Sequence, residues 1–119
     1  MEPDAKTTVY YDGACPVCVR EIGAYRACAG AERIDWVDVA ALGDGAAVAP
    51  GLSRTQAMAR FHVRTADGAL LSGAAAFAAL WRVLPAWVRL GRIAAWPPVA
   101  LVLEAAYRSF LKLRRLWRA

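Results

Sequence analysis

A chain of 119 residues suits one compact domain with a single core, and a hydrophobic content of 59% excludes a disordered chain. Its net charge of +5 is uneven: residues 1–81 carry seven Lys/Arg against nine Asp/Glu, whereas residues 82–119 carry eight against Glu104 alone. The longest uncharged run, residues 68–81, has 14 residues, below the roughly 18 that suggest a membrane span. The opening MEPDAKTT lacks the apolar stretch of a secretory signal, and three cysteines do not suit a disulfide scaffold. The expected setting is therefore the cytoplasm, with reduced thiols.

Thr7–Tyr11 (TTVYY) is β-branched and aromatic and predicts a strand that Asp12-Gly13 ends. A helix follows, since Pro16 suits the first helical position, where a missing N–H costs nothing. Its apolar seam runs Cys18, Ile22, Tyr25 and Ala29, and Gly30 closes it. Arg33–Val39 (RIDWVDV) alternates and predicts a second strand, while Ala40–Leu52, punctuated by glycine and proline, reads as a loop. Ser53 predicts the cap of a short helix over Arg54–Arg60, with Gln56 at the reciprocal capping position. Phe61–Thr65 and Ala69–Ser72 flank Asp67-Gly68, a strong hairpin signal. Gly73 opens a helix to Leu84, Pro85 restarts one to Trp96, and Pro97-Pro98 begins a last helix to about Trp117. The order βαβ, short helix, β-hairpin, helices predicts a small mixed α/β sheet flanked by helices, which is the element order of a thioredoxin-like core. No repeat or linker marks a second domain. Residues 1–119 thus read as one domain, with residues 85–119 as a basic helical C-terminal extension.

Cys15 and Cys18 belong to a CPVC stretch at the start of the first helix. With Pro16 as first helical residue, Cys15 is the N-cap. Its sulfur then faces the free N–H groups of Val17 and Cys18 and the positive end of the helix dipole, and both favour a thiolate. Thiolate is the attacking species in thiol–disulfide exchange. Cys18, one turn inside on the apolar seam, is expected to be the less exposed thiol. Cys15 then attacks to form a mixed disulfide, and Cys18 resolves it. A zinc site needs three or four protein ligands, and beyond this pair the chain offers only the lone Cys28 and His62. No metal or cofactor is expected, and an intermolecular or soft-metal site at the CxxC is the alternative. A structural disulfide closing so short a loop adds little in a reducing compartment. Asp12 is either a turn former at the strand end or a carboxylate that relays a proton as Cys18 attacks. Close to Cys15, its charge also opposes the thiolate. Gly13 is expected to supply a backbone angle that other residues resist. Cys28, off the seam at the far end of the helix, and His62, in a strand, read as structural.

YYDGACPVC with its amphipathic helix, then WVDV, ARFHVRTADGALLSGAAAFAALW and the terminal helices, resemble the DCC family of thiol-disulfide oxidoreductases. The family is named for the Asp-Cys-Cys pattern DxxCxxC, here Asp12, Cys15 and Cys18, and the resemblance runs from about Thr8 to the last helix. It implies a thioredoxin-like fold and protein-disulfide reductase activity on a protein or small-molecule disulfide or thiol. It also implies Cys15 and Cys18 as the redox pair and Asp12 as the motif acid, with Gly13 and Pro16 supporting them. Thioredoxin and glutaredoxin place a cis-proline just before the third strand. Here that region reads AMARFHV, with Met58, Ala59 and Arg60, which puts the usual edge for an extended peptide in doubt. Arg60 reads as an exposed surface arginine, or else as a cation near the site.

In the last helix, Arg108, Lys112, Arg115 and Arg118 share a face with Glu104, and Val102, Ala106, Phe110, Leu113, Leu116 and Trp117 lie on the other side. The apolar face is expected to dock on the core. The alternative is that residues 99–119 contact an anionic membrane surface or an acidic partner. Nucleic acid is not expected, because no aromatic stacking surface or known binding motif surrounds the basic residues.

Overall fold

The structure, a computed structural model, describes residues 6–43 and 47–118. In chain order the elements are β1 (Thr7–Tyr11), α1 (Pro16–Arg26), β2 (Ile34–Asp38), β3 (Ala47–Ala49), β4 (Leu52–Ser53), α2 (Arg54–Ala59), β5 (His62–Arg64), β6 (Leu70–Ser72), α3 (Ala74–Val83), α4 (Val88–Ala95) and α5 (Pro97–Arg118). β1 runs parallel to β2, from Thr7 opposite Ile34 to Tyr11 opposite Asp38, and antiparallel to β5, which pairs with β6. The resulting four-stranded mixed sheet has the order β2–β1–β5–β6.

β1 is central because both of its faces are covered. Val9 and, beside it on β5, Val63 join Ile22 and Tyr25 of α1 and Ala76 and Leu80 of α3 in one core. The pleat turns Tyr10 to the opposite face, where it packs with Val39, Leu52 and Ala57. Leu80 is fully buried, so truncating it to alanine should cost about 2–5 kcal/mol. The helix starts follow the sequence closely. Ser53 Oγ accepts the Gln56 N–H at 3.1 Å while Gln56 Oε1 accepts the Ser53 N–H at 3.0 Å, which is the reciprocal capping pair. This arrangement, with one helix layer on each side of a mixed sheet and a parallel β1–β2 pair, is a thioredoxin-like fold.

Three local expectations need correction. The first helix stops at Arg26 rather than at Gly30, so Ala29 is exposed and off the seam. The Cys28 N–H bonds back to the Tyr25 carbonyl at 3.0 Å, tightening the last turn, and Gly30 at φ +92° then redirects the chain into a 3-10 turn that feeds β2. The 40–52 loop holds structure: β3 and β4 form a small antiparallel ribbon around Pro50-Gly51, with Gly51 at φ +77°. Finally, the last helix docks a different face from the one expected. Leu103, Glu104, Tyr107, Phe110, Leu111 and Arg114 turn inward, while Val102, Leu113 and Leu116 face solvent, the last two 55% and 75% exposed. Of the expected apolar face only Phe110 is turned inward, and the Trp117 and Arg118 side chains lie outside the described residues.

Candidate active site

The loop Asp12–Cys15 leaves the carboxyl end of β1, the end of a parallel pair where α/β sheets place their ligands. Asp38, at the matching end of β2, pins it. Its Oδ1 accepts the Gly13 N–H at 2.9 Å and the Ala40 N–H at 3.0 Å. Gly13 is required by this close approach, since a Cβ there would overlap the Asp38 carboxylate. Its φ is not among the positive ones, so the expected backbone angle is not the reason. Asp12 folds over the turn, its Oδ1 accepting the Ala14 N–H at 2.9 Å, and is only 4% exposed.

Cys15 is the N-cap of α1 and Pro16 its first residue, as expected. The Cys15 sulfur accepts the Cys18 N–H at 3.4 Å, so the two cysteines meet through the helix cap and both are free thiols. Their exposure is the reverse of the sequence expectation. Cys15 is 1% exposed, whereas Cys18 is half-buried and lines a cleft. Burial pushes the Cys18 thiol up to about 12, helped by its hydrogen bond and charge interaction with Cys15 and opposed by Arg114.

Arg114 is the principal residue that sequence reasoning missed. It comes from the last turns of α5, is 8% exposed, and reaches back into the CPVC loop. One nitrogen, Nη1, stands 3.9 Å from Asp12 Oδ2 and 4.0 Å from the Cys18 sulfur. The other, Nη2, donates to the Met58 and Ala59 carbonyls at 3.0 and 3.2 Å. The signal was present in the sequence: Arg114 follows Tyr107 and Phe110 by seven and four residues, on the stripe that docks.

The same helix closes the rest of the site. Glu104 accepts two bonds from Arg60 Nη2, at 2.9 and 2.8 Å, one from Arg108 Nε at 2.8 Å and one from the Ala74 N–H at 3.2 Å, the first residue of α3. Partial burial alone would raise the Glu104 carboxyl, but these donors outweigh it and hold it down to about 2. Gly73, at φ +63°, leaves room for this junction, because a methyl there would overlap Arg60 Nη2 and Glu104 Oε1. Arg60 is accordingly a half-buried paired cation, not an exposed one, and lies 5.3 Å over the Tyr107 ring. The Tyr107 hydroxyl accepts the Phe61 N–H.

Between α1, α3 and α5 lies a cleft of about 260 Å³. Its wall is aromatic: Phe61 stacks on Phe77 at 4.2 Å, with Trp81, Tyr107 and Phe110 beside them. Asp12, Cys18, Arg60 and Arg114 border it, while Cys15 does not. His62 lies elsewhere, its Nδ1 2.9 Å from the Arg60 carbonyl, and burial lowers its pKa. Cys28 donates to the Ala24 carbonyl at 3.4 Å and packs on the core. Neither lines the cleft. Among the described residues no cluster of three His, Cys, Asp or Glu stands ready to hold a metal, and no helix is long and apolar enough to cross a membrane.

No curated protein and no solved structure matches the chain. A family model for the DCC1-like thiol-disulfide oxidoreductases does, over residues 9–119, a span that includes the CPVC loop and the helix carrying Arg114. The chain therefore belongs to the DCC1-like thiol-disulfide oxidoreductase family.

Proposed function

We propose that this chain reduces disulfides by dithiol–disulfide exchange at Cys15 and Cys18, through a mixed disulfide on Cys15. The observation that carries the reading is the helix cap, where the Cys15 sulfur accepts the Cys18 N–H while the Cys18 thiol sits one turn inside. Electrostatics sets the order of the steps. Burial and the neighbouring Cys15 push the Cys18 thiol up to about 12, which disfavours Cys18 as the first nucleophile. The attacking sulfur on this reading is Cys15, which caps α1 and accepts its Cys18 N–H. Because Cys15 is 1% exposed, the first step needs a local opening that admits the substrate sulfur.

Cys15 attacks, its new S–S bond forms, and the substrate's first thiolate leaves. The mixed disulfide carries no charge on Cys15, so two of the causes that held Cys18 protonated, the hydrogen bond and the charge of Cys15, disappear together. Arg114 keeps pulling the Cys18 pKa down, and Asp12, on the same Arg114 nitrogen, takes the proton. Cys18 then attacks Cys15, closing the intramolecular disulfide and releasing the second thiol. A thiol reductant resets the pair. Arg114 also answers the difficulty that Asp12 poses, because its cation offsets the carboxylate that would otherwise oppose a thiolate nearby. On this reading residues 85–119 are part of one domain and complete its site, and a reducing compartment such as the cytoplasm keeps all three thiols free.

A redox titration of the intact chain, followed by thiol trapping and mass spectrometry, should give one two-electron midpoint that requires both cysteines. Cys18→Ser should trap a mixed disulfide through Cys15, and Cys15→Ser should abolish turnover. Unchanged turnover in Cys15→Ser would refute the mechanism.

The outward face of α5 favours a second role, contact with an anionic membrane surface. Leu101, Val102, Leu113 and Leu116 are exposed there among Lys112 and Arg115. Co-sedimentation of the intact chain with anionic vesicles, lost in Leu113→Ser/Leu116→Ser, is the expected result. Equal sedimentation of both proteins would exclude this role.

A further inference from the structure

We infer that the cleft beside Cys18 is a binding site for a neutral, aromatic small-molecule disulfide, and that it selects this substrate class over anionic disulfides and protein chains. The inference rests on the exchange reading for its chemistry, but the binding site stands on three observations of its own. First, the cleft of about 260 Å³ lies just under the range of roughly 300–1,000 Å³ that holds small molecules, and its wall is the Phe61–Phe77–Tyr107–Phe110 aromatic surface. An aromatic ring entering it would gain the edge and face contacts that aromatic pairs prefer.

Second, the two arginines on the wall are engaged within the protein, and Glu21 adds a carboxylate to it. Arg60 is held by Glu104, and Arg114 by two carbonyls and Asp12. An anionic substrate would leave water without meeting an uncommitted cation from either arginine, whereas a neutral one has no such cost. Third, the backbone next to the cysteines cannot take an extended peptide as an added strand. The Met58 and Ala59 carbonyls are occupied by Arg114, and the Phe61 N–H by Tyr107. The C-terminal helix thus takes up the backbone groups at the link between α2 and β5 that an incoming peptide would need.

The reaction balances as follows. The protein dithiol and R–S–S–R give the Cys15–Cys18 disulfide and two R–SH. The S–S bond of the substrate is reduced by two electrons, the cysteine pair is oxidised by two, and the two thiol protons pass to the leaving thiolates.

The test uses the reduced, full-length chain with three substrates: neutral dithiodipyridine, dianionic dithiobis-nitrobenzoate and a disulfide-bonded peptide. Each rate is divided by the rate of free dithiothreitol with the same reagent, which removes intrinsic reactivity. The neutral reagent should saturate and show an enhancement on the order of tenfold or more above the other two. Thioanisole, a redox-inert aromatic thioether, should inhibit it competitively and bind saturably by calorimetry, including in Cys15→Ala. Equal normalised rates for all three reagents, a preference for the dianion or the peptide, or no saturable thioanisole binding would overturn the assignment while leaving exchange at the cysteine pair intact. Absence of exchange with every reagent, alongside saturable thioanisole binding, would instead remove the exchange reading and keep the aromatic site.

Discussion

Breaking the contact between Asp12 and Arg114 tests the site most directly, because both groups are buried and come from opposite ends of the chain. At 3.9 Å the pair is too far apart for a direct hydrogen bond, so their attraction is Coulombic, about 4 kcal/mol gross at an effective dielectric near 20. Desolvation of two ions offsets much of this, which is why the pair is a poor measure of net stability. Removing one partner is a different matter, since it leaves the other charge buried without this counter-ion, at a cost of about 3–5 kcal/mol. Arg114→Met should fall in that range or above it, because it also frees the Met58 and Ala59 carbonyls. Asp12→Asn keeps an acceptor for the Ala14 N–H and should cost less. The carbonyl bonds are lost in either Asp12 background, so they cancel in a double-mutant cycle read from urea midpoints. The expected coupling is about 2 kcal/mol. Single-turnover kinetics should also show the mixed disulfide accumulating in Arg114→Met, because Cys18 loses the cation that lowers its pKa. Additivity of the two substitutions within about 0.5 kcal/mol would sink the argument, since it would mean that the two side chains do not feel each other.

The raised Cys18 thiol and the depressed Glu104 carboxyl set three further outcomes. Alkylation of Cys18 by neutral iodoacetamide should stay slow well above pH 9 in the parent protein and move to lower pH in Cys15→Ala, because part of the rise to about 12 comes from Cys15; an unmoved profile would assign the whole rise to burial. The same raised thiol contributes stability that is present below about pH 9 and lost as pH climbs toward 12. Glu104 has the opposite sign. Its depressed carboxyl contributes stability that is present above pH 4.5 and lost as pH falls toward 2, so the urea midpoint of the parent should drop through that window. Glu104→Gln should start lower at pH 7 and drop less, and parallel curves for the two proteins would count against the Arg60–Glu104–Ala74 junction as a fastening for α5.

The sequence was most legible where one local cause dominates. Pro16 after a turn, the Ser53/Gln56 pair and Asp67-Gly68 each act within four residues, and the structure places α1, α2 and the β5–β6 turn where they point. It was least legible where partners lie far apart in the chain. Gly13 looked like a conformational glycine, yet its reason is the carboxylate of Asp38, 25 residues on. Gly73 opens α3, but the room it leaves is for Arg60 and Glu104. The exposure of Cys15 and Cys18 was inverted for the same kind of reason. Helix periodicity places Cys18 on a seam, but which thiol solvent reaches depends on what covers the cap and where the cleft opens, and neither is encoded in α1.

The basic C-terminal third is the case where charge counting misled most. An amphipathic plot treats every arginine as a solvated group and every leucine as a docking group, so it assigns Leu113 and Leu116 inward and overlooks Arg114. The fold inverts both assignments because the surface awaiting α5 is not apolar throughout. It presents the Asp12 carboxylate, two free carbonyls at Met58 and Ala59, the Phe61 N–H and the Arg60 cation. A wholly apolar helix face laid here would deprive the two carbonyls, the Phe61 N–H and the Arg60 cation of the partners α5 supplies, at about 1–3 kcal/mol for each neutral group and more for the charge. Glu104, Tyr107 and Arg114 meet them at the spacing of one helical stripe, with Leu103 and Phe110 filling between. The leucines displaced to the outside are the consequence, and they are the residues that the vesicle experiment addresses. The helix that satisfies the backbone beside the cysteines is thus also the one that walls the aromatic cleft, so the peptide exclusion and the small-molecule selection proposed for the site would both follow from a single packing solution.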